Sequence, residues 1–223
     1  QANRRYNEEL IRDHVSGRLK VAPEHTEDNV LNIMRKPSFE LFGEFKRIFD
    51  RVNTREGLRQ QLIPYFISSH PGCSEADMAS LAIKTRDLDF HLEQVQDFTP
   101  TPMTLATEIY YTGIHPYTGE KVFTATRPEE KLAQRQYFFW YDRTYRQGII
   151  DSLHKIHRPD LIRKLFPGYN PNFQNYSSNK DGKPKSYNPN FNPAYRPGRS
   201  DDKSRGKSHG APSAKTKRTK GGK

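Results

Sequence analysis

The sequence predicts an α/β fold built on a short parallel sheet, followed by a helical segment and a disordered basic tail. Three observations carry this. Between residues 18 and 98, three short apolar runs alternate with stretches of helical period, the pattern of βα units. After residue 102 the strand-like runs stop and helical segments joined by turns take over. Past Leu165 almost no aliphatic residue remains, so burial cannot offset chain entropy. The predicted organisation is therefore 1–102 for the sheet and its helices, 103–167 for the helical segment and 168–223 for the tail.

The opening residues, QANRRYNEELIRDHV, read as an amphipathic helix already under way at Gln1, as in a processed or truncated chain. The first strand is expected over residues 19–23 (LKVAP). Helices are expected over 26–35, with Val30, Leu31 and Met34 on one face, and over 38–52, with Leu41, Phe42, Phe45, Ile48 and Phe49; Pro37 separates them. Thr26 and Ser38, each followed by acids, have the look of N-caps. The second strand is expected over 61–69, followed by a helix that Ser74, Glu75 and Asp77 introduce and that carries Met78, Leu81 and Ala82. The third strand is expected over 90–98. Three such units make half of a closed barrel, and the first strand is left with an unpaired outer edge that something upstream should fill, unless the three strands form a small open sheet covered by the N-terminal helix.

In the helical segment, YTGIHPYTGE at 111–120 reads as a loop, and helices are expected over 128–141, 145–156 and 159–165. The run Tyr137-Phe138-Phe139-Trp140-Tyr141 is the densest aromatic patch and is expected to pack this segment against the sheet unit.

The chain carries a formal net charge of +11, of which residues 170–223 supply +10 with 13 Lys and Arg against 3 acids, so the body is close to neutral. Within the tail, Tyr169-Asn170-Pro171-Asn172-Phe173 recurs as Tyr187-Asn188-Pro189-Asn190-Phe191, either as low-complexity drift or as a doubly presented peptide motif. Basic side chains interleaved with Tyr and Phe suit phosphate neutralisation and base stacking, so RNA is a possible partner of residues 170–223; a solubilising extension is the plainer alternative. One cysteine, Cys73, excludes an internal disulfide and a cysteine-only metal site within this chain. No apolar run reaches membrane-spanning length, and a cytoplasmic location with no membrane partner is expected.

No P-loop, G-x-S-x-G elbow or H-E-x-x-H occurs. In parallel α/β folds ligands bind at the C-terminal ends of strands. That rule selects Pro23-Glu24-His25-Thr26, then Ser68-Ser69-His70-Pro71-Gly72, then Gln96-Asp97-Phe98-Thr99-Pro100-Thr101-Pro102.

The stretches VSGRLKVAPEHTEDNVLNIMRKPS, LIPYFISSHPGCSEADM and LEQVQDFTPTPMTLATEIYYTG together resemble the last three strands of the YgiQ family of radical SAM proteins. The segment to about 167 resembles the small uncharacterised domain that follows the barrel there. More distantly, Glu24-His25-Thr26, Ser69-His70-Pro71-Gly72 and Phe98-Thr99-Pro100 are similar to the strand-end turns of radical SAM methylthiotransferases. The resemblance implies the second half of a partial (βα)6 radical SAM (TIM-like) barrel. It also implies an intact protein that binds S-adenosylmethionine and a 4Fe-4S cluster and cleaves the former reductively to a 5′-deoxyadenosyl radical. The family's CxxxCxxC cluster motif cannot exist in a chain with one cysteine, so the chain alone is expected to be inactive and to work with the missing N-terminal half of the same protein. No catalytic residue is assigned. The positions expected to face the cofactor are Lys20 and Glu24 on the first strand, Ser68 and His70 after the second, and Gln94, Gln96 and Phe98 on the third. Glu24 suits an ammonium and Lys20 a carboxylate, unless the two simply pair with each other; Phe98 suits an adenine face. The two glutamines suit a ligand edge or backbone partners, and His70 either an acid–base role or a turn.

Overall fold

A computed structural model of the chain describes residues 2–169. Residues 170–223, with their basic side chains and all of the repeated motif but Tyr169, lie outside the described residues.

The elements run α1 (Ala2–Glu9), a π-helical turn (Leu10–His14), β1 (Arg18–Glu24), α2 (Asp28–Ile33), α3 (Phe39–Glu56), β2 (Gln61–Ser68), α4 (Glu75–Asp87) and β3 (Gln94–Asp97). There follow α5 (Leu105–Thr112), α6 (Pro128–Arg135), a 3-10 turn (Gln136–Phe139), α7 (Arg143–Lys155) and α8 (Pro159–Leu165). The three strands form one parallel sheet in the order β1-β2-β3. The α/β class and the parallel sheet expected from the sequence are thus present.

Register divides the sheet into two unlike faces. Leu19 pairs with Leu62 and Phe66 with Val95, and these side chains pack into the helix-covered core. Lys20 pairs with Ile63 and Ile67 with Gln96, and none of these four belongs to either hydrophobic cluster. Lys20 and Gln96 are exposed. Ile63 is buried and Ile67 half-buried, so one face is covered and the other only largely open, an unusual state for a parallel sheet, which normally has both faces covered. Among the described residues, no strand pairs with the outer edge of β1.

Two hydrophobic clusters lie beneath the covered face. The smaller one seats α3 through Phe42, Phe49 and Val52 against Ile11 and Leu62. The Gln60 side-chain amide donates to the carbonyls of Ile11 (2.8 Å) and Val15 (2.7 Å), anchoring the N-terminal turn beside α3. The larger cluster joins Phe66 and α4 to Tyr137, Phe138, Phe139, Ile149, Leu153, Ile162 and Leu165. The helical segment and the sheet thus share a core, and Tyr137, Phe138 and Phe139 of the aromatic run pack between them as the sequence suggested, with Trp140 half-buried and Tyr141 exposed. Arg86 of α4 adds a polar tie by donating to the carbonyls of Lys164 and, at 2.9 Å, Leu165, which satisfies acceptors at the C-terminal end of α8.

Several local expectations change. Ser38 and Ser74 are N-caps as predicted: Ser38 accepts from the backbone of Glu40, and Ser74 goes further and forms a capping box with Asp77. Thr26 does not cap α2: it is buried, its hydroxyl donates to Glu27 and its carbonyl accepts from Lys84, so the helix begins at Asp28 with Glu27 in the cap position. The third strand starts at Gln94 rather than Phe90, because Phe90 and Leu92 pack into the clusters beneath the sheet before the chain reaches it. The helix expected over 128–141 ends at Arg135. Tyr137, Phe138 and Phe139 are all buried, and three consecutive side chains fan over about 200° on a regular α-helix, so the backbone tightens and turns to bury them together. Among the described residues, no helix is long and apolar enough to cross a membrane.

Candidate functional site

β1 and β2 each end in a backbone irregularity, and all three strand ends bring polar groups near the open face. At β1 the register slips between Val21 and Glu24, and Glu24 sits in the left-handed region at φ 67°. A β-bulge with a non-glycine residue at positive φ re-aims a side chain at a backbone cost. Here it brings the Glu24 carboxylate to the mouth of the sheet, with only 15% of the side chain exposed. Glu24 Oε1 pairs with Lys36 Nζ at 3.1 Å, while Oε2 is buried with no hydrogen-bond partner. An ionised oxygen in that state is expensive unless a ligand supplies the missing donor.

At β2 the chain turns through Ser69 (φ 60°) and Gly72 (φ 84°). Gly72 suits its positive φ, and a Cβ there would stand 2.3 Å from Ile33 Cδ1, so Ile33 would have to shift. Between them lies His70, 5% exposed, with its Nδ1 2.9 Å from the Pro71 carbonyl. A carbonyl only accepts, so Nδ1 carries the proton and Nε2 the lone pair. Burial holds the His70 pKa below its usual value, with the Pro71 contact opposing, so the ring is neutral at pH 7.

At β3, Phe98 meets the His70 ring edge-on, with centroids 5.0 Å apart, and its N–H donates to the Ser68 carbonyl at 2.8 Å. The Tyr65 hydroxyl donates to Gln96 Oε1, joining β2 and β3 across the open face. Burial first and the Glu24 charge second raise the Tyr65 pKa, which keeps it a donor.

These ends enclose a cleft of about 500 Å³ between the C-terminal end of α2, the ends of β2 and β3, and the start of α5. Glu24, His70, Gln96 and Phe98 line it together, with Arg35 and Lys36 on the opposite wall. Lys20 lines an adjoining groove with Ala22, Glu24 and Tyr65, and Glu24 takes Lys36 as its ion-pair partner. Gln94 stands in register with Tyr65 on β3. Ser68 is fully buried and does not line the cleft. Its hydroxyl donates to Asp97 Oδ1 at 2.6 Å, and Asp97 Oδ2 accepts from Arg135 at 3.0 Å.

Two contributors were not legible in the sequence. Lys36 follows Arg35, whose positive φ of 56° folds the end of α2 back toward the sheet. Gln134 lies 65 residues beyond the loop whose backbone it binds. Its Oε1 accepts from Ser69 N–H at 2.8 Å and its Nε2 donates to the Cys73 carbonyl at 2.6 Å, while Gly72 N–H donates to the Phe123 carbonyl at 2.8 Å.

The residue types also set limits on metal chemistry. Among the described residues, no cluster of three or more His, Cys, Asp or Glu could hold a metal ion. Cys73 is fully buried, and desolvation raises its thiol well above the usual range. Its sulfur lies 3.5 Å from Nε2 of His25, whose Nδ1 accepts from Glu27 N–H at 3.1 Å. Desolvation pushes His25 down to about 3, so this is a neutral pair packed between the β1 and β2 loops and not an ion-binding one.

Comparison with known proteins gives the chain its relatives. It is 69% identical over 161 residues to a UPF0313 protein of Bacteroides thetaiotaomicron, covering 72% of this chain and 26% of that protein. It is 66% identical over 161 residues to a UPF0313 protein of Porphyromonas gingivalis, covering 72% and 25%. A UPF0313 protein of Clostridium perfringens is 44% identical over 188 residues, covering 82% and 28%. The chain thus spans about a quarter of the length of the curated relatives it matches. No solved structure matches it. Residues 93–223, more than half of the chain, match the family described as Domain of unknown function (DUF3362) and include β3, its strand-end Phe98 and the Gln134 clamp, and the chain belongs to that family.

Proposed function

We propose that the strand-end cleft is one wall of an S-adenosylmethionine site, and that the protein in which this chain functions is a radical SAM enzyme of the YgiQ type. The observation that carries the reading is the buried, unpartnered Oε2 of Glu24 at the end of a parallel strand on an uncovered sheet face. A ligand with an ammonium group satisfies it by donating to Oε2, while Lys36 holds Oε1 and fixes the carboxylate plane. The edge-on pair of His70 and Phe98 offers an apolar wall for an adenine ring, and Gln96 an amide at the same rim. The open face and the free side of β1 suit the remaining strands of a barrel, which the greater length of the relatives leaves room for.

S-adenosylmethionine with a reduced 4Fe-4S cluster supplies a 5′-deoxyadenosyl radical; binding, orientation and exclusion of water fall to the protein. The cluster does not fit the residues of this chain, since the sole cysteine is buried against His25 with its thiol protonated. Its ligands would come from residues outside this chain.

The test is anaerobic reconstitution of the full-length protein. The reading requires bound iron, a brown chromophore and formation of 5′-deoxyadenosine from S-adenosylmethionine under reducing conditions. A colourless, iron-free protein after reconstitution refutes it.

A further inference from the structure

We infer that the helical segment after the sheet is a positioning element for the strand-end cleft, with Gln134 as the residue that sets the loop carrying His70. What this does to ligand affinity rests on the assignment of the cleft above; the control of the loop itself does not.

Three attachments run from residues 123–135 to the strand ends, and each grips backbone or an acid that contacts the cleft wall. Gln134 is 1% exposed and spans the loop from Ser69 N–H to the Cys73 carbonyl, closing a ring around His70, Pro71 and Gly72. A planar amide is suited to this because it presents an acceptor and a donor side by side; a carboxylate lacks the donor and an ammonium the acceptor. The Phe123 carbonyl accepts from Gly72 N–H. Arg135 binds Asp97, which in turn accepts from Ser68, so the ends of β2 and β3 are joined at the point where Phe98 meets His70. The loop so held is costly in itself, with the non-glycine Ser69 at φ 60°. Without outside hydrogen bonds it has little reason to keep the His70 ring against Phe98. None of these attachments is to a side chain of His70 or Phe98, so the segment acts on the cleft by holding the strand ends and not by touching a ligand.

The test uses two substitutions and a control. Gln134→Met keeps the side chain's length and removes both hydrogen bonds; Gln134→Glu keeps the acceptor for Ser69 N–H and removes the donor to Cys73. Ile162→Val, in the same core but on α8, lowers stability without touching the loop. Amide hydrogen exchange at Ser69 and Gly72 is read in this chain, and S-adenosylmethionine affinity by calorimetry in the full-length protein. In Gln134→Met, Ser69 exchange accelerates about tenfold or more and affinity falls by a similar factor; Gln134→Glu restores protection at Ser69; Ile162→Val moves neither beyond its effect on stability. Equal changes in Gln134→Met and Ile162→Val overturn the inference and leave Gln134 a core residue. If the wild type binds no S-adenosylmethionine while Ser69 exchange still depends on Gln134, the positioning role stands and the cofactor assignment fails. If Gln134→Met does not fold, Ser69 protection in Gln134→Glu decides: it persists if the acceptor holds the loop and is lost if it does not.

Discussion

Lowering the pH should destabilise this chain through His25, and the size of the effect follows from its burial. The imidazole is 0% exposed, its Nδ1 is occupied by Glu27 N–H and its Nε2 faces a protonated thiol, so neither ring nitrogen gains a hydrogen-bond partner on protonation. Desolvation, only partly opposed by Asp77, pushes its pKa down to about 3, against about 6.5 in an unfolded chain. Between these values the unfolded chain takes up a proton that the folded one refuses. Stability is therefore complete above pH 6.5 and is lost progressively as the pH falls toward about 3. At pH 5 the loss from this site is about 2 kcal/mol. The assay is urea unfolding at pH 7.5, 6 and 5, comparing the wild type with His25→Gln, which retains an acceptor and a donor but does not titrate. The wild type should lose about 2 kcal/mol more than the variant between pH 7.5 and 5. Because burial lowers the His70 pKa too, the variant keeps part of the slope. Parallel curves for the two proteins refute the reasoning, as does an NMR titration of His25 in the folded chain near pH 6.5.

Gly72→Ala should cost about 2–4 kcal/mol from its left-handed backbone and from overpacking against Ile33. Adding Ile33→Val, which removes the clashing Cδ1, should return the steric part; thermal melts of the single and double variants measure it, and strict additivity argues against the contact. Phe138→Ala empties a fully buried site shared by sheet and helical segment and should cost about 3–5 kcal/mol in chemical denaturation, with a single transition. Two separate transitions there would mean that the two segments do not share a core.

Period and capping made much of the fold legible. β1 and β2 fall where the apolar runs lie, and Ser38 and Ser74 mark the starts of α3 and α4, because these signals act over a few residues. Thr26 and the 128–141 helix went differently because tertiary burial outweighed local preference: Thr26 is enclosed beside Lys84, and three consecutive aromatics must all reach one core. At the site, the strand-end rule brought Glu24, His70, Gln96 and Phe98 to one cleft. It also selected Ser68, whose side chain turns to the covered face, since a strand's last residue belongs to one face or the other by register alone. Gln134 and Lys36 left no local signal. A glutamine in a helix and a lysine before a proline are ordinary until the fold sets them against a loop and a carboxylate.

The measurement closest to the central claim is the affinity of the full-length protein for S-adenosylmethionine with and without the Glu24 charge. If Oε2 of Glu24 receives the ligand's ammonium, Glu24→Gln should weaken binding by about tenfold to a hundredfold, the range of a lost charge-assisted hydrogen bond. Unchanged affinity in a folded Glu24→Gln protein would contradict the account and return the buried carboxylate to a purely structural role beside Lys36.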